Sequence, residues 1–190
     1  MAFIMETKKI NYKITFLSDW HAGSGLSSGA NADSIVIKDK NNLPYIPGKT
    51  IKGLLKDSLF DILDVQPTSI NKELVDTLFG SEINEKSTNP SKLFFSNVEL
   101  VEKDEITSEL TPFLYRNLAS TTIDKNGIAK EGSLRTMEVT LPISLEGYIS
   151  KETEFNDDEK SLLELSMKWT RALGSNRNRG LGRCTIEFKK

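Results

Sequence analysis

The change of hydrophobic period along the chain limits what it can fold into. In the segment from Lys49 to Leu63, Ile51, Leu54, Leu55, Leu59, Ile62 and Leu63 recur at helical spacing and predict an amphipathic helix. Asn156 predicts a second helix start, with Asp157, Asp158 and Glu159 where negative charge favours the helix dipole. That helix is expected to run to about Leu173, with Gly174 ending it. Glu73 to Phe79 is a short third helix ended by Gly80. Elsewhere the pattern is that of strands. Lys9 to Phe16 alternates polar and apolar residues. Ile35 to Ile37, Leu93 to Val101, Val139 to Ile149 and Cys184 to Phe188 are further strands, and Pro142 places its strand at an edge or a bulge. Residues 81–91 are polar and read as a loop. Residues 116–138 are poor in large apolar side chains and contain Lys125-Asn126-Gly127, a hairpin-turn signal, so this stretch leaves the core.

The resulting order is strand, strand, helix, strand, strand, helix, strand. It predicts an α+β fold: an antiparallel sheet with helices on one face, in the ferredoxin-like or RNA-recognition-motif-like pattern. At 190 residues the chain is expected to form one domain, 1–190. No apolar run approaches the ~20 residues of a membrane span, and no signal peptide is visible, so a cytoplasmic protein without a membrane partner is expected. A single cysteine, Cys184, excludes an internal disulfide, and with a single histidine, His21, it excludes a Cys/His zinc site.

The net charge of −2 rules out a uniformly basic nucleic-acid binder, but the charge is uneven. From Lys168 to Lys190 seven basic residues face one acid, a balance of +6. From Lys38 to Asp57 the balance is +3, and from Lys151 to Glu164 it is −4. If the two basic segments meet in space they form an anion-binding face; otherwise they are ordinary solvated charge.

Three motifs bear on chemistry. Gly48-Lys49-Thr50 opens a helix but lacks the earlier glycine of a phosphate-binding P-loop, since Leu43 stands there. What remains is a helix N-terminus with Lys49, Thr50 and Lys52, either a plain cap or a phosphate contact. His21 is the only candidate for imidazole chemistry, and a lone histidine is more often structural. Arg177-Asn178-Arg179-Gly180-Leu181-Gly182-Arg183 is the most informative stretch. Three arginines offer planar forks to phosphate, and the glycines let backbone approach a ligand, so RNA backbone binding is favoured over a solvated loop.

These residues, in this order, resemble the RAMP superfamily of CRISPR-associated proteins, most of all the backbone subunit of type III effector complexes. The segments that carry the likeness are His21 to Gly25 (HAGSG), Asp33 to Asp39 (DSIVIKD), Pro44 to Gly53 (PYIPGKTIKG), Leu78-Phe79-Gly80, Thr122 to Glu138 (TIDKNGIAKEGSLRTME) and Leu173 to Arg183 (LGSNRNRGLGR). The resemblance implies a subunit stacked in several copies along a CRISPR guide RNA, alongside other type III effector subunits. His21, Ser24, Lys49, Thr50, Lys52, Arg177, Arg179 and Arg183 would contact RNA. The hairpin of residues 116–138 would be a protruding thumb that displaces bases of the guide–target duplex. Asp33 would cut bound target RNA, holding Mg2+ or another divalent metal. Two other readings stay open: a structural subunit that does not cut, and a guide-processing endoribonuclease in which His21 is acid or base.

Overall fold

The computed structural model describes residues 8–25, 33–66, 70–84 and 87–189. Strand β1 (Lys8–Phe16) carries its alternation into space: Tyr12, Ile14 and Phe16 are buried, while Lys13 and Thr15 lie on the opposite face. Helix α1 (Gly48–Val65) turns Ile51, Leu55, Leu59 and Ile62 inward, and α2 (Lys72–Phe79) does so with Val75, Leu78 and Phe79. The α2 N-terminus is capped by Asn71, whose side chain accepts the N–H groups of Glu73 and Leu74, and Gly80 follows its last residue. A small hairpin comes next, β2 (Ser81–Asn84) paired with β3 (Ser87–Asn89). Residues 81–91 are therefore not the plain loop that their polarity suggests, because backbone pairing needs no apolar side chain.

Strands β4 (Phe94–Phe95) and β5 (Glu99–Leu100) both pair with β8. The expected strand from Leu93 to Val101 is thus broken. Its pairing slips by one residue between Phe95 and Glu99, and Val98 turns aside to exchange hydrogen bonds of 2.9 and 3.0 Å with Ile46. Two 3₁₀ turns, Lys103–Glu105 and Thr111–Leu114, lead to β6 (Tyr115–Ser120). Strand β6 pairs with β7 (Arg135–Thr140) as a separate two-stranded ribbon. At its tip the Asp124 carboxylate accepts the N–H groups of Ile128 (3.0 Å) and Asn126 (2.8 Å), which together hold its carboxyl below the usual range. The ribbon leaves Ile123, Ile128 and Leu134 exposed.

Strand β8 (Ser144–Lys151) begins after Pro142, so the expected strand from Val139 to Ile149 is two strands of two different sheets. Pro142 lies between them rather than on an edge. Helix α3 (Asp157–Trp169) opens with a capping box between Asn156 and Glu159. It stops before Leu173, because residues 171–173 turn to pair with the start of β9 (Cys184–Phe188). The Cys184 N–H donates to Arg171 O (3.0 Å) and the Leu173 N–H to Gly182 O (2.9 Å).

The main sheet runs β4-β8-β1-β9, all antiparallel, with β5 also on β8. With α1 after β1 and α3 after β8, this is the ferredoxin-like order of a β-α-β-β-α-β unit. Helices α1 and α3 cover one face. The core between them joins Tyr12, Ile14, Leu145, Ile149 and Ile186 to Leu55, Leu59, Leu163 and Met167. Burial of Cys184 in this core pushes its thiol up to about 12, which makes it inert. Residues 35–37 form only isolated bridges and no strand. Among the described residues no helix is long and apolar enough to cross a membrane.

Helix α3 is pinned to β8 by an ion pair inside the protein. The Lys151 ammonium donates to both oxygens of Glu159, at 2.5 Å for Oε1, and Glu159 Oε2 also accepts the Asn156 N–H at 2.9 Å. Glu159→Ala strands the lysine charge in the interior and is expected to lower stability by about 3–5 kcal/mol. The double change Lys151→Met with Glu159→Leu should recover most of that loss in urea unfolding; equal losses for single and double variants would contradict this account.

Candidate nucleic-acid interface

Beyond β1 the chain passes from Leu17 to Gly25 through the join between sheet and ribbon. Trp20 stacks on Phe16 at 4.4 Å between ring centroids, donates its indole N–H to Leu141 O (3.2 Å), and exchanges backbone hydrogen bonds with Thr140. His21 follows, 1% exposed. Its Nδ1 lies 2.7 Å from Glu138 O and its Nε2 lies 2.9 Å from Ser34 Oγ. A carbonyl only accepts, so Nδ1 carries the proton and donates to Glu138 O, and in the neutral ring Nε2 accepts from the Ser34 hydroxyl. Both nitrogens are occupied within the protein. The expected RNA contact by His21 is corrected to an internal one, and an acid–base role for the imidazole has no support. Ser24 is likewise turned inward: its N–H and its hydroxyl both donate to Ile35 O, at 3.0 and 3.2 Å.

Asp33 lies beside Thr136, near the end of β7 from which residues 121–134 project. Its N–H donates to Thr136 O (2.8 Å) and its Oδ2 accepts the Thr136 N–H (2.7 Å). The residue is exposed. The following segment runs beside β7, where Glu138 binds it with its whole carboxylate: Oε2 accepts the Val36 N–H (3.0 Å) and Oε1 the Lys38 ammonium (2.7 Å). Lys38 also sits 4.0 Å over the Tyr115 ring. Across the base, the buried Asp19 carboxylate accepts from Nε of Arg116 at 2.6 Å and pairs with its Nη2. Neither Glu138 nor Asp19–Arg116 was predictable, because the partners lie about 100 residues apart and no local spacing betrays them. Among the described residues no group of three or more His, Cys, Asp or Glu side chains could hold a metal. With one oxygen of Asp33 committed to Thr136, the described residues supply a single partial ligand. This donor set does not fit a resident Mg2+ site.

The glycine-rich loop packs on this same segment. Ser175 N–H donates to His21 O (2.9 Å), Gly182 N–H to Asp19 O (2.7 Å), and Leu17 N–H to Arg183 O (2.7 Å). Gly174 (φ +96°) and Gly182 (φ +71°) are in the left-handed region, and a Cβ would overlap His21 O at the first and Leu173 O at the second. For Gly182 the expected purpose, bringing backbone close to a ligand, is therefore corrected: it brings backbone close to the protein's own chain, while Gly180 faces open space. The arginines remain outward. Arg177, Arg179 and Arg183 are exposed, and none forms an ion pair with a described residue.

Lys49, Thr50 and Lys52 sit on the first turns of α1. The Gly48 N–H there donates to Asn97 Oδ1 (3.1 Å) and the Thr50 N–H to Pro47 O (2.9 Å), so the free donors are partly used. Gly48 is required because a Cβ would overlap Phe95 O. Burial, and secondarily the neighbouring Lys56, holds the Lys52 ammonium below its ordinary value. The arginines and these lysines do not share a cleft. Arg177 faces the third turn of α1, beside Leu54, Asp57 and Asp61, whereas Lys49 borders Phe94, Ser96 and Tyr148.

Fold and site together define a ferredoxin-like RNA-recognition-type domain with a ribbon rising from its sheet and an arginine loop packed at the ribbon's base. A family model of the RAMP superfamily matches residues 13–185, and the chain belongs to that superfamily. It is similar in fold to a chain of the cryo-EM structure of type III-B Cmr-beta bound to cognate target RNA, with a TM-score of 0.72 at 10% identity, covering 95% of this chain and 97% of that one. A chain of the apo state of Cmr-beta gives a TM-score of 0.69 at 11% identity, with 96% and 97% covered. No curated protein sequence matches the chain.

His21→Ala leaves the Glu138 carbonyl without its buried donor and is expected to cost about 1–3 kcal/mol for that group alone. Gly182→Ala should also destabilise, since the new Cβ meets backbone rather than a movable side chain. Thermal melts of both variants test this; a wild-type melting temperature for His21→Ala would refute the structural role given to the imidazole.

Proposed function

We propose that the chain is a guide-RNA-binding subunit of a type III CRISPR effector complex, repeated in several copies along the guide, and that it cuts the bound target RNA. The observation that carries this reading is the position of Asp33. Two hydrogen bonds to Thr136 hold an exposed carboxylate near the outer end of the β6–β7 pairing, where residues 121–134, the part of a thumb that would displace a base, begin to project. The exposed, unpaired arginines of the 177–183 loop support contacts to RNA backbone, with sequence left to base pairing, and the bound target RNA of the Cmr-beta neighbour agrees with that.

Cutting follows from distortion. In-line attack needs the 2′-oxygen, the phosphorus and the leaving 5′-oxygen aligned, which a regular duplex forbids. A ribbon that displaces a nucleotide relieves this. Asp33 then takes the 2′-hydroxyl proton as that oxygen bonds to phosphorus, and the 5′-oxygen leaves and takes a proton from water, giving a cyclic phosphate and a 5′-hydroxyl. One carboxylate makes slow chemistry dominated by positioning. A divalent cation at this point would draw most of its ligands from RNA. A second reading, a subunit that holds RNA without cutting, is favoured by the bond between Asp33 and Thr136, which is a sufficient structural reason for an aspartate.

Asp33→Asn keeps an acceptor for the Thr136 N–H and removes the charge. In the assembled complex it should abolish target cutting and leave guide binding intact; persistent cutting removes Asp33 from the chemistry, and a wild-type complex that binds target without cutting it selects the second reading. Arg177→Ala with Arg179→Ala should weaken RNA binding and lower the salt slope by roughly one unit per lost contact. An unchanged slope would remove these arginines from the interface.

A further inference from the structure

The sheet face that carries no helix holds a second set of groups suited to RNA, away from Asp33 and the arginine loop. Register places them. Tyr148 stands opposite Asn11 on β1, and Ser150 stands opposite both Lys9 on β1 and Phe94 on β4. The intervening residues, Tyr12, Ile149 and Phe95, point into the core. Phe94, Tyr148 and Lys9 therefore share the open face. Phe94 is 58% exposed although its neighbour Phe95 is buried. Its ring lies 6.1 Å from that of Tyr148, and the Lys9 ammonium caps the Tyr148 ring at 4.6 Å. Single exposed hydrophobic residues are common and need no explanation. This one borders a cleft of about 670 Å³ that runs along the break between β4 and β5 to the start of α1.

The charges and hydrogen-bonding groups of that cleft select its ligand. Both of its acids are neutralised: Glu99 by Lys103 at 2.7 Å and Glu146 by Lys189 at 2.6 Å. Lys49, on the cleft wall, has no ion pair among the described residues, so the uncompensated charge is positive. Asn97 uses Oδ1 for the Gly48 N–H, which leaves its amide NH₂ able to donate to a ligand. An aromatic ring open on one side, a lysine and a free amide donor fit one unpaired nucleotide, its base on the ring and its phosphate at the ammonium.

We propose that Phe94, Tyr148, Lys49 and Asn97 form a stacking subsite for an unpaired RNA base on the open sheet face. This rests on the reading of the chain as an RNA-binding subunit, and it assigns to RNA a surface that neither the arginine loop nor the ribbon reaches. A flanking protein subunit is the rival occupant. The unpaired lysine, and Phe94 being the one exposed apolar side chain among the described residues that line the cleft, favour RNA.

The test uses the full chain and a single-stranded RNA decamer, followed by anisotropy over a salt series. Phe94→Ala is expected to weaken binding about 5- to 100-fold with no change in salt slope, since no charge is lost. Phe94→Trp should retain the affinity, and Lys49→Ala should lower the slope by about 0.7. Photocrosslinking should place an RNA adduct on Phe94 or Tyr148. Phe94 is exposed, so its replacement leaves the core intact, which a thermal melt checks. Wild-type affinity for Phe94→Ala overturns the subsite. If that variant instead loses self-association or subunit assembly at unchanged affinity, the face belongs to a protein and the subsite is again overturned. Loss of binding in the Arg177 and Arg179 variants but not in Phe94→Ala would remove this subsite alone. A wild-type chain that binds no RNA would overturn the RNA-binding reading with it.

Discussion

One buried imidazole holds the working end of this protein together. His21 leaves the end of β1, donates to the Glu138 carbonyl on the ribbon and accepts from Ser34, next to Asp33, while its own carbonyl receives the Ser175 N–H of the arginine loop. Four stretches of chain that are far apart in sequence meet at one residue. A buried polar ring is tolerated only when its nitrogens are satisfied, so the arrangement is held by the penalty for breaking any part of it.

That constraint fixes the geometry of Asp33 and of the arginine loop. Asp33 can hold a carboxylate beside β7 because Ser34 is tied to His21 and Glu138 anchors the following segment at Val36 and Lys38. The arginine loop can present its side chains outward because its backbone is spent inward, on Asp19, His21 and Leu17. Gly174 and Gly182 act for the fold, and the arginines are left for the ligand. A rigid backbone beneath long flexible cations is a sensible way to hold a phosphate chain of variable sequence.

Much of the architecture was legible in the order of periods. The helices from Gly48 and from Asn156, the first and last strands β1 and β9, and the antiparallel α+β arrangement all follow from local apolar spacing and caps. What was not legible are the places where long-range pairing overrides local pattern. Residues 93–101 look like one strand, yet Val98 leaves it for Ile46 and Gly48 packs against the break. Residues 170–173 look helical, yet the start of β9 claims them.

The sequence by itself determined the element order, the excess of positive charge near the C-terminus and the family likeness, because each depends on residues close together along the chain. Tertiary structure alone decided what those residues do. It turned His21 and Ser24 inward, assigned Gly174 and Gly182 to internal packing, and separated Lys49 from the arginines. It also set Asp33 at the ribbon and brought Glu138 to Lys38. Such pairings depend on hydrogen bonds and close approaches between segments as far apart as Leu17 and Arg183, and nothing in local composition encodes a partner at that distance.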